Sequence, residues 1–161
     1  APTETLHVDG TTRTNVLKIT GGSDFSEAFD ISAGDVKPEA GMVVSIDPKN
    51  PGKLRIADAA YDHAVAGVIS GAGGVNTGMT MGQPGTLADG DHAIALSGRV
   101  YVWVDASERP VKPGDLLTTS ATPGHAMRVS DHAAAQGAVI GKAMTSLDSG
   151  RGLVLVLVNL Q

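Results

Sequence analysis

Carboxylate and imidazole side chains are the first candidates for chemistry. Asp58, Asp62 and His63 form one set, and Asp131 and His132 form a second one further along. Hard cations take oxygen and zinc takes neutral imidazole, so such sets could hold a metal. Their spacing matches no standard ligand signature, and Asp equally caps orphan N–H groups at turns. The reading adopted is therefore turn-capping residues with two repeated ion pairs, Arg55 with Asp58 and Arg128 with Asp131, each contributing about 0–1 kcal/mol if exposed. Asp47-Pro48-Lys49-Asn50-Pro51-Gly52 begins like a calcium loop, but Lys49 stands at its third position and Asp58, not Glu, at its twelfth. It reads as a turn.

The glycine-rich segment 71–78 could suggest a phosphate cradle. It lacks the Gly-Lys-Ser/Thr ending of a nucleotide loop, and Asn76 stands where a dinucleotide fingerprint needs its third glycine. A loop whose glycines serve turns or close backbone approach is the simpler account. There is no Gly-x-Ser-x-Gly elbow and no His-Glu-x-x-His, and the Ser and Thr residues have no adjacent base. His125, beside Pro123-Gly124, is expected at an exposed hairpin tip. None of the five His is given a catalytic role, so the expectation is a non-enzyme with no cofactor and no metal.

Composition narrows the partners. With no cysteine there is neither a disulfide framework nor a thiolate metal site. The net charge is −5 and the 12 basic residues are scattered singly, which leaves no electrostatic footprint for nucleic acid. No apolar run approaches the roughly 20 residues of a membrane span; the longest, 153–158, suits one strand. At 3% aromatic residues, stacking platforms are not expected, and Tyr61, Tyr101 and Trp103 read as core or interface anchors. Because the chain opens Ala1-Pro2-Thr3, without an initiator Met or an apolar leader, it reads as a processed product or a fragment.

The elements that must position these residues are short strands. Four Pro-Gly pairs, at 51–52, 84–85, 113–114 and 123–124, mark turns because Pro presets φ and Gly accepts φ > 0. Between turns lie β-prone runs at 15–19, 42–46, 53–57, 64–70, 92–96, 99–105, 115–119, 126–129, 137–143 and 152–158. In 99–105, Val100, Val102 and Val104 share one face while Tyr101 and Trp103 share the other. In 153–158 every residue is apolar, with Leu153, Leu155 and Leu157 alternating with three valines. A strand there has two faces to hide, so Tyr101, Trp103, Leu153, Leu155 and Leu157 are the candidate oligomer-interface residues. The one helical candidate is 130–136, with Ser130 as a possible cap.

An internal repeat organises the chain. Val36-Lys37-Pro38, Gly41, Pro51-Gly52, Arg55, Asp58, His63 and Gly67 are followed by Val111-Lys112-Pro113, Gly114, Pro123-Gly124, Arg128, Asp131, His132 and Gly141. The expected layout is an N-terminal strand segment, 1–35, leading into a duplicated β domain, 36–161, with copies at about 36–70 and 111–144. The fold class expected is all-β, a duplicated β-clip or barrel-like unit with many Pro-Gly turns.

The stretches 98–102, 111–120, 123–127 and 137–143 resemble the C-terminal domains of bacterial and phage fibre or appendage proteins, including G2-type intramolecular chaperone domains, and also resemble β-clip domains. The opening 6–12, Leu-His-Val-Asp-Gly-Thr-Thr, is similar to strand repeats preceding such domains in trimeric fibres. The resemblance implies a homotrimer in an extracellular, cell-surface or virion-borne setting. No autocleavage residue of the chaperone class is matched. The function expected is structural self-assembly as a fibre terminus or shell component, with itself as partner and without nucleic acid or membrane insertion. Two alternatives stay open: an autoproteolytic chaperone domain, and a module that binds glycan or capsid surfaces through the 71–85 loop with Met79 and Met81.

Overall fold

The computed structural model describes residues 5–160, so the opening of the expected N-terminal segment, 1–4, and Gln161 lie outside the described residues. The strands are β1 (Asp24–Phe29), β2 (Val43–Ile46), β3 (Leu54–Ile56), β4 (Val65–Ile69), β5 (Met79–Met81), β6 (His92–Asp105), β7 (Leu116–Thr119), β8 (Ala126–Arg128), β9 (Val139–Ala143) and β10 (Arg151–Asn159). Eight of them follow the order β10-β9-β7-β8-β6-β4-β2-β3, β1 pairs with β6 and with β5, and pairing of β10 with β6 closes five strands into a barrel. The fold is all-β and barrel-like, and no helix of the described residues is long and apolar enough to cross a membrane.

The closing ladder explains the core. Over 100–104 of β6 and 154–158 of β10 every second residue is valine, a branched side chain that suits a pleated surface. Val100, Val102, Val104, Val154, Val156 and Val158 all turn inward, each at most 2% exposed, and meet Val43, Val68, Leu117 and Ile140 in one cluster. A second cluster gathers Val44, Leu54, Ile69 and Ile94 under the β2–β3–β4 side.

Two three-stranded units share their geometry. β2 pairs antiparallel with β3 and β4, with a bulge between Val44 and Ser45; β7 pairs antiparallel with β8 and β9, with a bulge between Leu117 and Thr118. Gly41 donates to Ile69 at 2.7 Å, and Gly114 donates to Ala143 at 2.8 Å, with φ of 90° and 92°. Gly67 lies opposite Val44 as Gly141 lies opposite Leu117. At both, a neighbouring strand leaves no room for a side chain: a Cβ on Gly67 would stand 2.6 Å from the Ala95 carbonyl oxygen, and one on Gly141 2.1 Å from that of Leu157. The glycines of all four Pro-Gly pairs take positive φ, between 71° and 92°.

Several sequence expectations are corrected. Residues 15–19 form no strand: a β-prone run needs a neighbouring ladder, and here it finds none. The 6–12 segment is likewise without strand. The two runs at 92–96 and 99–105 are one continuous strand, β6, because Gly98 sits within the ladder opposite Val158 and Asp24. The 130–136 run forms no helix: residues 132–137 are turns, and the cap is Asp131, whose carboxylate accepts from Ala133 and Ala134 at 2.9 and 3.0 Å. Strands β1 and β5 were not foreseen. They are held together by Asp24, buried at 7% exposure, which accepts from the Gly78 N–H at 2.8 Å and is bonded to the Ser26 hydroxyl.

Candidate functional site

The antiparallel register of β6 and β10 places Trp103 opposite Leu153, Tyr101 opposite Leu155, Arg99 opposite Leu157 and Asp105 opposite Arg151. Directly opposed residues share a face, and the valines between them point inward. The five predicted interface residues are thereby brought together as one outer stripe. Its end is fixed by Asp105, which accepts from Ser107 N–H at 2.9 Å, from the Thr122 hydroxyl at 2.6 Å and from Arg151 at 3.1 Å. Ser107 and Thr122 act most strongly and outweigh desolvation; together with Arg151 they hold this carboxyl well below the usual carboxylate range.

Part of the stripe is roofed by the chain itself. The Trp103 indole donates to the Ala40 carbonyl at 3.2 Å, and its ring lies 6.1 Å from that of His125. That contact leaves His125 half-buried, where an exposed tip was expected. The glycine-rich segment contributes a 3-10 turn, Ala72–Gly74, laid against Tyr101 so closely that a Cβ on Gly73 would stand 2.3 Å from the ring. This close approach is what that glycine serves. Tyr101, Trp103, Leu153 and Leu155 are half-buried, while Leu157 is 46% exposed. Met144, whose N–H donates to the Leu155 carbonyl at 2.7 Å, continues the apolar patch at 42% exposure. It was missed in the sequence because it stands alone after the 137–143 run.

The candidate metal sets are dispersed. Arg55 bonds Asp58 and Asp62, each at 2.7 Å. Burial raises the Asp62 pKa, but the Ala64 N–H, the nearby Ser45 hydroxyl and Arg55 outweigh it and leave the carboxyl below its ordinary value. His63 lies 3.3 Å from the Ala134 carbonyl. Among the described residues, no three His or carboxylate groups stand where they could hold a metal ion. The expected Arg128 to Asp131 pair is not formed, since Arg128 bonds Asp115 at 3.3 Å. The reason is register: Arg55 lies opposite Ser45 but Arg128 lies opposite Leu117, positions one residue out of step, so the two arginines leave opposite faces of their strands. Asp47 anchors the turn it begins, with the adjacent Ser32 hydroxyl, the Asn50 amide and the Lys49 N–H holding its pKa down to about 2.

No family model matches the chain. No curated protein matches it. Among solved structures it is similar to the N base of the head fibre gp8.5 of bacteriophage phi29, with a TM-score of 0.40 and 16% identity over 88% of this chain and 95% of that one.

A groove of ≈ 380 Å³ lies beside the stripe, lined by Tyr61, Asp105, Arg109, Thr122, Arg128 and Arg151 among others. Tyr61 is the one non-glycine residue of the described chain with positive φ, at 55°. Its hydroxyl accepts from the backbone N–H groups of Ser130 and Asp131 at 3.1 and 3.0 Å. Burial raises the phenol pKa, and these donors with the Ser130 hydroxyl outweigh it and lower it below 10. The arrangement ties the first three-stranded unit to the second.

Proposed function

We propose that the chain is a structural self-assembly domain, a fibre terminus or shell component borne on a virion or cell surface, and that its working unit is a homotrimer. One observation carries this reading. The strand β10 fills the core with Val154, Val156 and Val158 and turns Leu153, Leu155 and Leu157 outward, where the stripe ends in an apolar patch open at Leu157 and Met144. Cover from neighbouring copies would remove that patch from water, at about 25 cal/mol per Å² of apolar area. The duplicated domain plan, copies at about 36–70 and 111–144, is part of the same proposal and is supported by the matched bulges, registers and glycines of the two units.

Native mass spectrometry of the intact chain tests it. Three chains per particle is the expected result, and a single-chain mass across the micromolar range would overturn it.

A further inference from the structure

The segment preceding β1 is unlike the rest of the molecule. Residues 5–21 are all exposed and form no strand. They carry Leu6, Val8, Val16, Leu17 and Ile19 at 81, 52, 80, 68 and 43% exposure, half of all the large apolar side chains the described protein leaves exposed. The run Asn15-Val16-Leu17-Lys18-Ile19 has strand composition and lacks only a partner.

The sheet has a place for one. Among the described residues β5 pairs with β1 alone, so its second edge is unused. The outer edge of β3, by contrast, is closed by Asp30 and Ser32, which bond Leu54 at 3.0 and 2.8 Å. An open strand edge is a template for another strand, and β5 offers Met79 and a 43% exposed Met81, adaptable side chains that mould to an incoming apolar one. Charge points the same way. Glu27 stands opposite Met81 on β1, and Asp35, Asp89 and Asp91 lie in the segments after β1 and before β6, whereas Asp24 is buried and Asp30 pairs with Lys53 at 3.2 Å. The arm carries Arg13 and Lys18 beside and within the 15–19 run, with its acids, Glu4 and Asp9, further back.

We propose that the arm of one copy adds residues 15–19 as an extra strand on the β5 edge of a second copy, so that exchanged arms lock the assembly. This rests on the self-assembly reading and names the segment that performs it. Backbone pairing would supply the attachment, Leu17 and Ile19, which share one face of a strand, the apolar contact with the methionines, and Arg13 and Lys18 the orientation.

The chain has no cysteine, so disulfide trapping is clean. Val16→Cys and Thr80→Cys, which share the other face of the paired strands, are made separately, mixed, allowed to exchange subunits and oxidised. The expected product is a cross-linked pair of unlike chains formed only in the mixture, because each chain carries a single cysteine and the bridge from residue 16 to residue 80 can form only between chains. In the full-length protein, Leu17→Pro cannot donate to a ladder and should weaken assembly about tenfold or more without changing the melting of the subunit. If the wild type assembles but the mixture gives no cross-link and Leu17→Pro assembles as well as wild type, the arm inference is overturned while the self-assembly reading stands. A wild type that stays a single chain overturns both.

Discussion

The Tyr61 hydroxyl stands 3.0 Å from the backbone nitrogen of Asp131, bonding two segments 70 residues apart. The same oxygen accepts from Ser130 N–H, and the Tyr61 N–H reaches the Thr119 carbonyl at 3.2 Å. A left-handed backbone at a bulky residue is costly, so it persists here because these bonds hold it. Tyr61→Phe keeps the ring and removes the acceptor from two N–H groups. At about 1 kcal/mol for such a net loss, the melting temperature should fall by roughly 2–4 °C, with the oligomeric state unchanged. A Tyr61→Phe protein as stable as wild type would show that the two units are held together by other contacts alone.

Acid should unfold the protein through three carboxylates. Asp47, with a pKa of about 2, and Asp62 and Asp105, both lowered, bind protons more weakly folded than unfolded. Their contribution is complete above the unfolded value of about 3.9 and is lost as pH falls through the folded values, so the denaturation midpoint should decline from about pH 5 towards pH 2. Asp105→Asn should flatten that decline, because the site no longer changes charge. A midpoint unchanged between pH 7 and pH 2 would contradict the reading of these sites.

Two glycines should be intolerant for the same reason. A methyl at Gly141 would meet the Leu157 carbonyl oxygen at 2.1 Å, and one at Gly67 would meet that of Ala95 at 2.6 Å. Backbone cannot yield as a flexible side chain does, so Gly141→Ala and Gly67→Ala should each cost about 1–3 kcal/mol or more. Gly34→Ala, where nothing lies within 4 Å, is the control and should be near neutral. Equal midpoints for all three in urea denaturation would refute the close approach.

What could be read from the sequence was what local chemistry dictates. The Pro-Gly turns and the valine alternation of 100–104 lie in neighbouring residues and were legible, as was the convergence of Tyr101 and Trp103 on one face. Strand β1 was not, because Asp24-Phe25-Ser26-Glu27-Ala28-Phe29 has weak strand composition and is specified by its partners: β6 on one side, and the lock of Asp24 to Gly78 on the other. The Arg55 and Arg128 correspondence misled for a related reason. Spacing along the chain matched, but a shift of one residue in ladder register reverses the face. The Tyr61 interlock depends on a contact 70 residues away and a backbone conformation that composition does not signal.

The two faces of β10 should fail differently when charged. Val154 is fully buried opposite Val102, among core residues that offer no partner for a carboxylate. Val154→Asp forfeits about 1.5–3 kcal/mol of burial and adds the larger cost of an unpaired buried charge, so the subunit should lose its cooperative melt. Leu157 is 46% exposed on the opposite face, opposite Arg99 on β6. Leu157→Asp can hydrate its carboxylate and reach toward that guanidinium, so the isolated subunit should melt within a few degrees of wild type. If the outer stripe is the interface, the same substitution places a charge in the contact between copies, and native mass should drop to single chains. A Leu157→Asp protein that keeps the wild-type native mass would remove Leu157 from the interface. If Leu155→Asp also kept it, the assembly would have to use another surface, and the β6–β10 stripe would be left as the outer wall of the barrel.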